Sequence, residues 1–408
     1  MTETWTLAAL WLGLALLATL ISIALRLSTA LSEIVVGTIA QLIIGAAIGT
    51  ATLGASEPWI KFLSGTGAIV LTFLAGAELD PAVFRLKWKE ASAVGLASFL
   101  LPFLACAAAA HRLLGWSATA SWLGGIAMST TSVAVVYAVM LESGLNVTSF
   151  GKTVLAACFV TDLGTVLALG LIFAPFTMRT LVFVGTMGVM FLVLPWLTPR
   201  FFRRYGDRPS ELEAKFLLFF LFGAGALATW ADSEAVLPAY LVGMVLASTV
   251  GKDHVLVRRL RTLTFGLLTP FYFIRAGSFV SVPALVAAPG ALLVFLTMKV
   301  AAKFVGVWPT TRAFGAPRQE ATYTTLLMST GLTFGTISAL FGLSRKIIDQ
   351  GQYSALVAAV IGSAVIPTVI ANAFFFPHHK LRKVDEAGAV AVSAVAAGAS
   401  VSKLEVRP

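Results

Sequence analysis

Charge is what this sequence has least of. Only 12% of its 408 residues are Asp, Glu, Lys or Arg, against about 25% in a typical soluble domain. That shortage excludes an ordinary water-soluble fold. Cysteine is almost as scarce: Cys106 and Cys158 both lie inside apolar runs, so no disulfide framework is indicated and both read as small buried hydrophobes. His111, His254, His378 and His379 fall in loops or at run ends with no cysteine at metal spacing, which argues against a zinc site. No P-loop is present, and no G-x-G-x-x-G follows a strand, so no nucleotide cofactor is expected. Acidic residues number 19 against 29 basic ones. A net charge of +10 could suit nucleic acid, but the basic residues are spread over short loops, so no nucleic-acid partner is expected.

What is abundant is apolar sequence, 58% of the chain. It comes in runs of about 20 residues, the length of a membrane-crossing helix, and not in the short alternating segments of a barrel. The fold class is therefore an all-α polytopic membrane protein. Thirteen candidate spans are read at 5–25, 31–53, 59–79, 91–110, 117–141, 151–176, 180–198, 213–231, 234–250, 262–285, 288–310, 320–343 and 351–375. The start, Met1–Trp5, has no cationic segment, so the first run reads as a retained helix and not a signal peptide. Residues 1–376 form the transmembrane domain. Residues 377–408, mostly Ala, Val, Gly and Ser from 387 to 402, read as a short disordered tail.

The basic residues set the orientation. Loops after odd-numbered spans carry Arg85, Lys87, Lys89, Arg200, Arg203, Arg204, Arg208, Arg258, Arg259 and Arg261; the other side carries Lys61, Arg112, Arg179, Arg345 and Lys346. The positive-inside rule then places the N-terminus outside and the C-terminus in the cytoplasm, as in a bacterial inner membrane, with anionic lipid beside the basic loops.

Few charges remain at membrane depth: Glu33, Glu78, Asp162, Arg275, Lys299 and Lys303. Glu33 and Glu78 stand near run ends and are expected to reach interfacial water. Asp162 is different. It lies ten residues beyond Lys152, about 15 Å along a helix axis, and a short carboxylate cannot snorkel over half a bilayer. An ionisable group held there reads as an ion or proton site. Lys299 and Lys303 are four apart on one helix face. Arg275 is expected to pair with an acid or with the carbonyls of broken backbone. Two spans have weak centres, Met128-Ser-Thr-Thr-Ser132 and Met328-Ser-Thr-Gly-Leu-Thr333. Hydroxyl and glycine clusters there allow a helix to unwind and line a cavity. Their matching places in the two halves predict an inverted repeat with two crossing discontinuous helices.

Several stretches resemble the cation:proton antiporter superfamily, on the branch of bacterial Na+/H+ antiporters and Kef-type K+ efflux proteins. Phe73-Leu-Ala-Gly-Ala-Glu-Leu-Asp80 is similar to its F-L-A-G-L-E-L-D. Ser129-Thr-Thr-Ser-Val-Ala-Val-Val136 resembles its first broken helix, and Val160-Thr-Asp-Leu163 stands where its acidic pair stands. Pro270-Phe-Tyr-Phe-Ile-Arg-Ala-Gly277 and Lys303-Phe-Val-Gly306 are similar to its P-L-F-F-x-x-x-G and K-x-x-G. The resemblance covers residues 10–375.

It implies intertwined repeats, a panel domain that makes a homodimer and a core domain that moves like an elevator. The activity implied is secondary antiport of Na+ or K+ against H+, serving pH homeostasis, not enzyme catalysis. Asp162 is then the shared cation and proton site, the only carboxylate assigned to the transported ion. Thr161, Thr130 and Thr131 supply neutral oxygens, and Lys303, Lys299 and Arg275 balance charge. Ser129, Ser132, Ser329, Thr330 and Gly331 form the broken stretches. Thr161 replaces the first acid of the pair, Thr130 replaces the proline of the broken helix, and Gly331-Leu-Thr333 stands where a charged residue is usual. With one carboxylate, one proton per cation is the simplest stoichiometry. Two other transport readings stay open at this point: an Na+-coupled symporter of an organic anion held by Arg275, and a Kef-type K+ efflux system.

Overall fold

A segment inside a bilayer has no water to satisfy its backbone, so an apolar run of this length folds as a helix. The computed structural model describes residues 2–377 apart from 26–27, 46–52, 78–80, 146–147, 174–176, 207–209, 232, 234, 252 and 288. Glu78 and the 378–408 part of the tail lie outside the described residues. Among those described the structure is α-helical, with no strand.

The helices, in chain order, are α1 (Thr2–Leu25), α2 (Thr29–Ala40), α3 (Pro58–Ala77), α4 (Pro81–Arg112), α5 (Ala118–Ser129), α6 (Val133–Glu142), α7 (Ser149–Phe173), α8 (Met178–Tyr205) and α9 (Leu212–Trp230). There follow α10 (Val236–Leu246), α11 (His254–Leu263), α12 (Thr269–Ser278), α13 (Val282–Ala287), α14 (Pro289–Ala313), α15 (Arg318–Met328), α16 (Thr333–Ser344) and α17 (Gln350–Phe374). Among the described residues, nine helices are long and apolar enough to cross a membrane, counting Arg318–Ser344 as one. The other four expected spans are made of shorter pieces. Thr29–Ile43 and Val236–Leu246 are short apolar helices. The span expected at 117–141 is the broken pair α5 and α6, and that at 262–285 joins the end of α11 to α12 through a π-helical turn, Thr264–Leu268.

Local sequence explains where helices start. Ser28 and Ser117 accept the backbone N–H of Leu31 and Ala120. Capping boxes at Thr177/Thr180 and Asp349/Gln352 open α8 and α17. Each satisfies donors that the first turn leaves unpaired.

Three apolar clusters divide the bundle. The largest unites α4 to α7 with α14 to α17 through residues such as Phe99, Met128, Phe159, Phe295, Met328 and Leu356, and reaches into α2, α3, α10 and α12 through Ile34, Leu71, Tyr240 and Phe273. A second joins α3 to α8–α11 through Phe73, Phe183, Leu221 and Val242. The third joins α1, α2 and α12, where Trp11 stacks on Phe271 at 5.4 Å.

Two close helix pairs display the internal symmetry. A Cβ at Gly37 of α2 would strike the Ile274 carbonyl of α12, and one at Gly277 would strike the Ile34 carbonyl. Likewise a Cβ at Gly76 of α3 would strike the Tyr240 carbonyl of α10, and one at Gly243 the Phe73 carbonyl. If α2 corresponds to α10 and α3 to α12, the two contacts exchange, as an inverted repeat requires. The same correspondence pairs α5/α6 with α15/α16. Small residues that let backbones touch are the membrane's usual substitute for hydrophobic packing.

Glu33 departs from expectation. It is 2% exposed and does not reach interfacial water. It stands one turn from Gly37, on the face of α2 that α12 covers.

Gly76→Val should lower the stability of the purified protein by about 1–3 kcal/mol, the usual cost of overpacking. Gly65→Val, on the same helix with no heavy atom within 4 Å of its Cβ position, should leave the thermal midpoint in detergent unchanged. Equal shifts for the two would contradict the close-contact account.

Candidate ion site at the crossing of two broken helices

Both breaks are built alike. α5 ends at Ser129, and Thr130 turns extended (φ −61°, ψ 152°). The hydroxyls of Ser129 and Thr130 donate back to the Ile126 and Ala127 carbonyls (2.8 and 3.1 Å). α15 ends at Met328, and Ser329 and Thr330 donate back to the Thr325 and Leu327 carbonyls (2.8 Å each). The repeated Met-Ser-Thr thus places back-bonding hydroxyls at both breaks; at α15 they join the N–H groups of Ser329 and Thr330, which reach the same Thr325 and Leu327 carbonyls at 3.0 and 3.1 Å.

The breaks also interlock. The Ser132 N–H donates to the Thr330 carbonyl (3.1 Å) and the Thr131 hydroxyl to the Met328 carbonyl (2.8 Å). Ser132 and Thr333 share a hydroxyl contact at 3.5 Å. Gly331 has no room for a side chain, because a Cβ there would strike Thr130 and the Lys299 ammonium. Ser129 to Ser132, Ser329, Thr330 and Gly331 are therefore brought together.

Each lysine of α14 serves one break. Lys303 Nζ donates to the Ser98 hydroxyl (2.7 Å), the Ser129 carbonyl (3.0 Å) and the Thr131 hydroxyl (3.0 Å). Lys299 Nζ donates to the Ser363 hydroxyl of α17 (3.1 Å) and lies against Gly331. Both side chains are wholly buried. A helix C-terminus carries partial negative charge. Lys303 neutralises that of α5 directly, and Lys299 lies just past that of α15. The second break carries no charged residue of its own in sequence, and the charge is supplied from α14 in space.

Asp162 faces this crossing. On α7 it stands between Cys158, one turn before, and Thr165, one turn after. The Cys158 thiol reaches the Met328 sulfur at 3.5 Å, and the Thr165 hydroxyl lies 3.4 Å from that of Ser129. The two contacts tie the Asp162 face of α7 to the last residue of each broken half-helix. Asp162 is 1% exposed, and its Oδ1 is buried with no hydrogen-bond partner. The Lys303 ammonium is within electrostatic range, but no ion pair joins them among the described residues. A buried carboxylate oxygen without a partner costs free energy. The atom that would relieve that cost is a cation or a proton.

The other expected residues divide. Thr161 points to α4, its hydroxyl donating to the carbonyls of Gly95 (3.2 Å) and Ala157 (3.1 Å). It ties helices together while keeping lone pairs free to accept. Arg275 is not brought to the crossing. Its Nε donates to the Ala55 carbonyl (2.9 Å), and its guanidinium stacks over Phe279. Its partner is a backbone carbonyl, in the turn before α3 and not at the crossing. Ser98 and Ser363, the hydroxyl partners of the two lysines, were missed by sequence reading. Their one signal is a lone serine inside an apolar run. No cluster of three His, Cys, Asp or Glu able to hold a resident metal lies among the described residues.

A cavity of about 250 Å³ lies between α4, α7, α14 and α15, lined among others by Lys87, Glu90, Thr153, Ala157, Glu320 and Thr324. It runs along α7 as far as Ala157, whose carbonyl accepts the Thr161 hydroxyl.

The sequence pattern of the family described as "Sodium/hydrogen exchanger, transmembrane" matches residues 12–376. The chain belongs to that family. Among its relatives, the Probable Na(+)/H(+) antiporter 3 of Methanocaldococcus jannaschii is 24% identical over 339 residues, covering 79% of this chain and 86% of that protein. The glutathione-regulated potassium-efflux system protein KefC of Enterobacter sp. (strain 638) is 26% identical over 383 residues, covering 89% of this chain and 59% of KefC. Cation/H(+) antiporter 18 of Arabidopsis thaliana is 24% identical, and the match spans 47% of its length. This exchanger-family chain is thus matched to only about half of those longer relatives. The solved sodium proton antiporter MjNhaP1 of Methanocaldococcus jannaschii shares the fold, with a TM-score of 0.67 at 15% identity over 91% of this chain and 96% of that one. The broken-helix crossing expected from sequence thus belongs to a fold already seen in a solved protein.

Thr131→Val should lower stability by about 1–3 kcal/mol, because it leaves the buried Met328 carbonyl without its donor. Thr325→Val, whose hydroxyl bonds only its own helix at Ala321, should cost less. A thermal-unfolding comparison in which the two cost the same would contradict the interlocked crossing.

Proposed function

We propose that this chain exchanges a monovalent cation, Na+ or K+, for a proton across the membrane, with Asp162 as the site both compete for. The observation that carries this is the Asp162 carboxylate, buried against two interrupted helices with an oxygen that no group among the described residues satisfies. A cation there would draw further oxygens from Thr130, Thr131 and the freed backbone, suiting a hard ion. A proton would neutralise the same carboxylate instead. One carboxylate holds one or the other, so exchange is one for one and electroneutral.

The packing of α4–α7 with α14–α17 in the largest apolar cluster supports their movement as one body that carries the site, the contacts of that cluster with α2, α3, α10 and α12 being the ones that would have to slide. The cavity below Ala157 is the ion's route from the side of Lys87 and Glu320. By the distribution of basic loops that side is cytoplasmic, with the N-terminus outside. A homodimer in a bacterial inner membrane follows from the family resemblance. The likeness to KefC supports K+ as the cargo and that to the archaeal antiporter supports Na+, so each cation is to be offered in turn. Arg275, held by Ala55 and Phe279, lends the anion-symport reading no support.

In everted vesicles carrying a pH-sensitive dye, Asp162→Asn should abolish cation-induced proton movement. Glu33→Gln, which removes a different buried acid of a span, should retain it. Proton flux that survives Asp162→Asn would overturn the assignment. In liposomes, a membrane potential imposed with an ionophore should leave the exchange rate unchanged, and a rate that follows the potential would exclude one-for-one exchange.

A further inference from the structure

A second cavity, of about 370 Å³, lies between α7 on one side and α8 and α10 on the other. Its wall on α7 is Leu167, Gly170 and Leu171, on the helix that carries Asp162 but beyond it toward the α8 end. Facing them are Phe183, Met187 and Leu237, with Thr180 and Ser233 also in the lining. α8 is an exposed apolar helix: Leu181, Val184, Val189 and Leu192 are each at least 60% exposed. Such a face at membrane depth borders lipid. Gly188, in the lining, has no heavy atom within 4 Å of its Cβ position, so the cleft stays open there.

Next to Thr180, Arg179 stacks over Trp230 at 5.5 Å, at the start of α8 and the end of α9. A cationic side chain fixed on an indole at a membrane-helix end is an interfacial anchor. Near it, Thr180 and Ser233 bring hydroxyls able to bond a phosphate ester. Basic, aromatic and hydroxyl groups near one end of an apolar cleft match one class of molecule.

We infer that this cleft holds one acyl chain of an anionic phospholipid, with its phosphate on Arg179, Thr180 and Ser233. The site is distinct from the ion site. It lies at the boundary between the helix bearing Asp162 and the helices past which that helix would slide. Occupied, it wedges the boundary and sets the rate of that movement. The rate effect rests on the exchange reading above, whereas lipid retention does not.

The test is native mass spectrometry of the full chain, delipidated and then titrated with phosphatidylglycerol or phosphatidylethanolamine. One phosphatidylglycerol should be retained per chain, favoured over phosphatidylethanolamine by about fivefold, the preference one basic residue contributes at an anionic surface. Gly188→Leu should abolish retention. Gly185→Leu, which also adds bulk to open space on α8 but is not in the lining, should leave it intact. Arg179→Gln should keep lipid but erase the headgroup preference. Equal retention by the two glycine variants, or no preference in the unaltered protein, overturns the site. So does a dimer in which a second copy fills the cleft and no lipid is retained. If retention behaves as stated but Gly188→Leu exchanges ions at the normal rate, the lipid site stands and its control of movement is overturned.

Discussion

Backbone freed at membrane depth has to find its partners inside the protein. That requirement organises this molecule. Two helices stop at midspan and each leaves carbonyls and N–H groups unpaired. They satisfy themselves with their own serine and threonine hydroxyls and with each other, through Ser132 to Thr330 and Thr131 to Met328. The remaining partial charge at the two C-terminal ends is met by Lys303 and Lys299, one turn apart on α14. The crossing is thus closed by hydrogen bonds and two cations. No side chain is needed at Gly331, and none fits there.

Against so well satisfied a crossing, the unpartnered oxygen of Asp162 stands out. Lys303 spends its three donors on Ser98, Ser129 and Thr131. It lowers the electrostatic cost of a nearby negative charge without sealing the carboxylate into an ion pair. That balance suits exchange. A full ion pair would hold the acid charged and occupied, and complete isolation would hold it protonated. Cys158 and Thr165, bonded to Met328 and Ser129, make α7 follow the crossing wherever it moves.

Much of this was legible in the sequence, because the membrane makes polar residues conspicuous. Asp162, both lysines and both hydroxyl clusters stand out against apolar surroundings, and all of them converge in space. The repeat was legible through the matching positions of the two weak centres. What sequence could not show is which polar groups meet. Ser98 and Ser363 complete the lysine contacts from other helices, and a single serine in a span carries no label for its partner. Arg275 looked equivalent to the lysines, yet its guanidinium turns to the Ala55 carbonyl, which depends on how the stretch before α3 folds back. Glu33 sits near a run end, but the glycine-lined contact of α2 with α12 buries its face.

The central claim is that one carboxylate exchanges a proton for a cation. The most direct measurement is calorimetric titration of the purified protein with Na+ and with K+ in buffers of different ionisation enthalpy. The account predicts that binding of the transported cation releases close to one proton, and that Asp162→Asn loses both the binding and the release. Cation binding that releases no proton, or that persists in Asp162→Asn, would contradict it.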